Sequence, residues 1–166
     1  MTENRPEPPT LLYLIKQVEL ASRAGLDELT RPAGLTALQY TALTVLERHP
    51  GLTAARLARN SFVTAQSMAD MVTSLLRRGL IERNRDPQDR RRLVLSLTDD
   101  GHRVLADLRP DVAVLEARML VELPAESADE LRELLEACRR GLGSRTTHAR
   151  SSDSSEWGPE PDHQVS

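Results

Sequence analysis

Cysteine occurs once in the 166 residues, at Cys138, so no internal disulfide can form and no cysteine-rich zinc site can be built. The four histidines are scattered without metal-ligand spacing, and neither a metal nor a cofactor is expected. Aromatic residues are equally sparse: Tyr13, Tyr40, Phe62 and Trp157 make up 2% of the chain. A core must therefore come from Leu, Val, Ala and Met, which suits packed helices better than a sandwich or barrel. No apolar run approaches the ~18 residues that cross a bilayer, and residues 1–9 are polar and proline-rich rather than charged-then-apolar. The expectation is a cytoplasmic protein with no membrane partner. Catalytic signatures are missing too: there is no G-x-S-x-G, no phosphate-binding loop and no H-E-x-x-H, so no enzyme is expected.

What is present is a chain with 39% hydrophobic and 28% charged residues, enough for one mostly α-helical domain with flexible ends. Its net charge of −3 hides an asymmetry. Residues 52–98 carry nine basic and four acidic side chains, a local +5, whereas residues 1–51 sum to −1 and residues 99–166 to −7. An acidic flank on each side of a basic island argues for one confined surface aimed at a polyanion. All 22 basic residues except Lys16 are arginine, the better fork for phosphates and base edges.

Apolar periodicity and punctuation divide the chain. Residues 9–29 carry Leu11, Leu12, Ile15, Val18, Ala21 and Leu29 at helical spacing, a period broken late by Gly25. After Arg31-Pro32-Ala33-Gly34, Thr36 caps a second helix that stops at His49-Pro50-Gly51, and Thr53 caps a short third over residues 54–59. Thr64 caps a fourth helix over residues 65–78 with Met68, Val72 and Leu75 inward, closed by Gly79 in a left-handed cap. Residues 80–83 and 93–97 read as a hairpin whose charged connection projects into solvent. Thr98 caps a long helix over residues 99–123, bent by Pro110, and a last helix spans 128–142, with Gly141 and Gly143 marking the end of order. Residues 144–166, which include Trp157, read as a disordered tail, and residues 1–8 as a flexible arm.

Three helices followed by a hairpin with a basic loop spell a winged helix-turn-helix over residues 35–98, in which the fourth helix can enter a major groove. At this point the sequence resembles the MarR family of bacterial transcription regulators. The likeness is carried by Leu35-Thr36 with Gln39, by Leu57-Ala58, by L-L-R-R-G-L-I-E-R over residues 75–83, and above all by D-P-Q-D-R-R-R-L-V-L-S-L-T-D-D-G over residues 86–101. In that stretch Asp89, Arg91, Leu97, Thr98 and Gly101 match the family pattern position for position.

The resemblance implies that Arg91 stands at the wing tip and enters a minor groove with Asp89 orienting it, while Arg90 and Arg92 are available to phosphates. Independently, three adjacent arginines on an exposed loop need a strongly negative partner to offset their repulsion, and a narrow groove supplies one. On the fourth helix Gln66 can pair with adenine, Ser67 with several base edges, and Thr64 at the helix N-terminus with a phosphate. Asp70, Thr73 or Ser74, and Arg77 share that outward face. Asp70 either accepts from a cytosine amino group or holds another side chain. Many relatives carry basic residues in the middle of this helix, where this chain has Asp70 and Ser74, which shifts reliance onto the wing. Thr36 and Arg77 are candidate backbone contacts.

By the same resemblance, residues 9–34 and 99–143 form a helical dimerisation region, so the partners are a second copy of the chain and double-stranded DNA with an inverted-repeat operator. The implied function is a ligand-responsive repressor, with an activator of the same fold or a winged-helix module for protein contacts as alternatives. The implied effector is a small aromatic or phenolic molecule. Tyr13, Lys16 and His49 are the residues that can approach its crevice, and Cys138 reads as a buried small hydrophobe.

Overall fold

The structure, a computed structural model, describes residues 7–148 apart from 62 and 125, so Trp157 and the tail beyond His148 lie outside the described residues. It is mostly helical with one small antiparallel sheet: α1 (Leu11–Thr30), a single 3-10 turn (Arg31–Ala33), α2 (Ala37–Arg48), α3 (Ala54–Asn60), α4 (Ala65–Arg77), β1 (Ile81–Arg85), β2 (Leu93–Leu97), α5 (Asp99–Met119) and α6 (Ser127–His148). Four of the helices begin where a threonine hydroxyl accepts a free amide of the first turn: Thr10 from Tyr13, Thr36 from Gln39, Thr53 from Arg56 and Thr64 from Ser67. At Thr36 the Gln39 side chain returns the bond to the cap's own amide, completing a capping box.

Two helix ends close on left-handed glycines with the same pair of bonds. At Gly79 (φ 67°) the Gly79 amide reaches Leu76 O and the Leu80 amide reaches Leu75 O. At Gly34 (φ 66°) the Gly34 amide reaches Arg31 O and the Leu35 amide reaches Thr30 O. Both are Schellman turns, and only glycine adopts that φ without strain. The first of them keeps Leu80 in the helix end, so β1 starts one residue later than the apolar pattern suggests.

The strands pair from Ile81 opposite Leu97 to Arg85 opposite Leu93. An isolated bridge, invisible to periodicity because it is one residue long, joins Leu52 to Leu95 on the other side of β2. The core gathers Leu43 and Leu46 of α2, Leu57 of α3, Met68, Met71, Val72 and Leu75 of α4, and Leu95 of β2. Leu105 and Leu108 of α5 are buried in the same core, which makes the first half of α5 a wall of the winged unit. Met71, absent from the expected inward set, is buried as well.

The Leu-Thr-x-x-Gly motif has a local cause. The Thr98 amide reaches Leu80 O, its hydroxyl donates to Gly79 O and accepts from the Gly101 amide, so the start of α5 is stitched to the end of α4. A Cβ on Gly101 would stand 2.1 Å from Leu80 O, closer than any side chain can come to backbone.

Several boundaries differ from the sequence pattern. Gly25 does not break α1: it lies inside the helix where a Cβ would come 2.7 Å from Leu115 Cδ1, so its small size serves the approach of α5. α5 ends at Met119 rather than near residue 123: the Leu123 amide turns back to Leu120 O, a tight turn in place of a further helical one. Pro110 lies within α5 without ending it. α6, which belongs to a second compact unit beginning at Leu120, continues past residue 142 to His148. Gly141 and Gly143 both lie within α6, and a glycine inside a helix weakens it by only about 1 kcal/mol. Cys138 is exposed rather than buried, since the α6 stripe of Leu134, Leu135 and Leu142 is itself uncovered.

Candidate nucleic-acid interface

The interface is built from the outer face of α4 and the loop between β1 and β2. Helical spacing turns Met68, Met71, Val72 and Leu75 into the core and leaves Gln66, Ser67, Asp70, Thr73 and Arg77 in solvent. Thr64 has its hydroxyl committed on both sides, accepting from the Ser67 amide at 3.1 Å and donating to Ser67 Oγ at 2.9 Å. The bonding lone pair and proton are thereby used locally, while the open amides of the first turn still point outward. Gln66 Nε2 donates to Asp70 Oδ1 at 3.4 Å. Asp70 thus holds a neighbouring side chain, one of its two expected roles, and orients the Gln66 amide along the helix.

Ser74 is placed differently from the outward position expected for it. It is half-buried and accepts from Gln39 Nε2 of α2 at 3.4 Å, whereas Thr73 is the exposed member of the pair. The reason is the neighbour: Ser67, seven residues earlier at nearly the same helical phase, is exposed, whereas Ser74 lies where Gln39 of α2 packs against α4. Thr36 remains exposed at the start of α2.

The wing is a closed device rather than a loose loop. The Asp86 amide donates to Arg92 O at 3.0 Å and the Arg92 amide to Asp89 O at 2.9 Å. Two carboxylates make Asx turns, Asp86 Oδ1 accepting from the Gln88 amide and Asp89 Oδ1 from the Arg91 amide at 3.1 Å. Asp89 therefore acts on the backbone of Arg91, setting the path of the tip from which the guanidinium extends. Arg85 braces the far side by donating to Arg90 O at 2.8 Å, a role that no local pattern announces because it depends on the turn being folded. Arg90, Arg91 and Arg92 are all exposed, with Arg92 Nη1 4.0 Å from Asp86 Oδ2. Arg56 and Arg59, one turn apart on α3, add exposed cations that the motif did not single out.

A separate cleft of about 540 Å³ opens among α1, α2 and α5, lined by Val18, Leu26, Tyr40, Arg48, Leu115 and Arg118 among others. Tyr13, Lys16 and His49 do not line it; Lys16 is paired with Glu19 at 2.8 Å. The aromatic that does is Tyr40, whose phenol is raised above its ordinary pKa first by burial and then by the Glu116 and Glu47 carboxylates. Among the described residues no group of three or more His, Cys, Asp or Glu side chains is arranged to hold a metal ion, and no helix is long and apolar enough to cross a membrane.

Comparison with known proteins bears on what such an arrangement does. Residues 33–92 match the MarR family. The chain is 31% identical over 124 residues to an HTH-type transcriptional repressor of Mycobacterium tuberculosis, a match spanning 75% of this chain and 89% of that protein. It is 28% identical over 125 residues to the transcriptional regulator HosA of Escherichia coli, spanning 75% and 88%. Among solved structures it is similar to the transcriptional repressor CouR bound to a 23-mer DNA duplex, with TM-score 0.68 and 30% identity over 78% of this chain and 92% of that one. It is similar as well to apo MarR from Escherichia coli, with TM-score 0.69 and 25% identity over 80% and 98%.

Proposed function

The chain belongs to the MarR family of transcriptional regulators, and on that premise we propose that it is a homodimeric, sequence-specific DNA-binding repressor released by a small aromatic or phenolic ligand. The observation that carries the DNA-binding reading is the wing. Three exposed arginines stand on a loop locked by its own backbone and by Asp86 and Asp89, so the charge is presented in a fixed place. Preorganisation of this kind lowers the ordering cost of binding, and a narrow minor groove offers the complementary potential.

In this reading Arg91 enters the minor groove, Arg90 and Arg92 reach phosphates, and the exposed side of α4, with Gln66, Ser67 and Thr73, faces base edges in the major groove. Thr64 with the first-turn amides of α4, Thr36 and Arg77 meet the backbone. The middle of α4 carries Asp70 and Ser74 and no basic residue, which places more of the affinity on the wing.

Dimerisation is supported by α1. Its first turns expose Leu11 at 76% and Leu12 at 73%, with Leu14, Ile15, Val18 and Leu20 also open, a contiguous apolar face of the kind that marks a protein interface. A two-fold dimer would present two copies of α4 to successive major grooves, about 34 to 36 Å apart, on an inverted-repeat operator. The cleft beside Tyr40 suits an apolar ring, with Arg48 and Arg118 at its edge for a polar or anionic substituent.

The test is binding of the purified protein to its own upstream intergenic DNA across a salt series, with Arg91→Ala alongside. Tight binding should weaken steeply with salt as phosphate contacts are lost. Arg91→Ala should cost about 1 to 3 kcal/mol of affinity and leave the oligomeric state unchanged. Equal affinity of the two proteins would remove Arg91 from the interface. Failure to bind any such duplex at low salt would favour a module for protein contacts.

A further inference from the structure

Arg78 stands outside the roles assigned so far. It is the C-cap residue of α4, and its guanidinium spans 44 and 45 positions of sequence to donate from Nη1 to Gly34 O at 2.6 Å and from Nη2 to Ala33 O at 2.7 Å. The two acceptors are the last carbonyls of the 3-10 turn that closes α1. They sit at the negative end of that helical segment, and no later turn exists to satisfy them. A forked cation answering two adjacent carbonyls is the geometry in which arginine cannot be replaced by lysine, whose ammonium is a single point.

Both ends of this link are rigid. On one side the Gly34 Schellman turn is held by Thr30, fully buried, whose one hydroxyl proton is shared between Leu26 O at 2.8 Å and Leu35 O at 2.9 Å. Asp27 of α1 accepts from the Ala37 amide at 2.7 Å, tying the same corner to α2. On the other side lies the Gly79 Schellman turn, stitched to α5 through Thr98. Arg78 thus clasps the end of the helix proposed to read DNA to the end of the helix proposed to dimerise. Like its neighbour Arg77 it is exposed, but its guanidinium is engaged by the two carbonyls.

We infer that Arg78 is a positioning residue that sets where α4 stands relative to α1, and so sets the separation between the two copies of α4 on DNA. The inference rests on the regulator reading above. It predicts that the protein discriminates half-site spacing through this clasp. One added base pair moves a half-site by about 3.4 Å and turns it by roughly 35°. A rigid dimer cannot follow that displacement; one whose α4 is loosened follows it partly.

The experiment uses full-length protein and an inverted-repeat duplex selected from random DNA by the wild type, with the central spacer then changed by one and two base pairs. Wild type should lose on the order of tenfold or more for a one-base-pair change, the size of penalty a mis-set contact carries. Arg78→Gln should bind the selected duplex more weakly while losing much less on changing the spacer, and Arg78→Lys should restore the spacing preference only in part. Hydrogen exchange of the DNA-free protein supplies a second readout. The Leu35 and Leu80 amides, one in each Schellman turn, should lose protection together in Arg78→Gln.

Three results overturn the inference. If affinity falls equally for all spacers and the log–log salt slope drops by about 0.9, Arg78 is a phosphate contact. If only thermal stability falls, with spacing preference intact, it is structural. If the two amides exchange as in wild type, the clasp does not join the corners. A wild type that selects no duplex would sink the regulator reading instead, and the exchange measurement still decides whether Arg78 couples the two ends.

Discussion

Two glycines separate what neighbouring atoms demand from what helices prefer. At Gly101 an added Cβ meets the Leu80 carbonyl at 2.1 Å, and that carbonyl is fixed by its bond from the Thr98 amide. Gly101→Ala gains about 1 kcal/mol of helix propensity but must displace backbone, which costs about 3 kcal/mol. The melting temperature should fall. At Gly25 the nearest atom is the end of the Leu115 side chain at 2.7 Å, which can rotate away. Gly25→Ala should therefore lie within about 1 kcal/mol of wild type, the propensity gain offsetting the repacking. Thermal unfolding of the pair checks both, and a Gly101→Ala protein as stable as Gly25→Ala would refute the contact. The first glycine was visible in the sequence as part of Leu-Thr-x-x-Gly, but the carbonyl that requires it is 21 residues away.

At the scale of elements, the junction between the wing and α5 is where stability and presentation meet. Thr98 satisfies three backbone groups, at Leu80, Gly79 and Gly101, two of them through its hydroxyl. Thr98→Ala should remove about 1 to 2 kcal/mol, as loss of a helix cap does, measured by chemical denaturation. The starts of α2, α3 and α4 were legible because each cap is a single threonine acting on an amide three residues on. Strand β2 was legible because a short apolar run, four residues in five, between polar stretches is a local signal. The brace from Arg85 to the Arg90 carbonyl and the half-burial of Ser74 against Gln39 were not, since each depends on a partner positioned by the fold.

For the whole molecule the decisive quantity is the apolar surface left open. α1 exposes Leu11, Leu12 and Ile15, and α6 separately exposes Leu134, Leu135 and Leu142. Leu12→Glu in α1 should shift the protein from dimer to monomer in analytical ultracentrifugation and, with one half-site per particle, weaken operator binding by more than tenfold. Deleting residues 149–166 should leave the sedimentation of the dimer unchanged. A truncated chain that sediments as a monomer would assign the tail to the interface. Salt dependence belongs to this scale as well, because the net charge of −3 repels DNA while the island at residues 52–98 attracts it.

The sequence by itself determined the succession of helices, their threonine caps, the glycine that closes α4, and an arginine-rich loop between two strands. All of these are interactions within about five residues, and each leaves a residue type at a defined spacing. Only the tertiary structure decided that Asp89 acts on the Arg91 amide, that Tyr40 rather than Tyr13 lines the cleft, and that Arg78 binds carbonyls instead of standing free. Contacts across 44 residues carry no period to read, because the chain between them sets the distance only after it has folded.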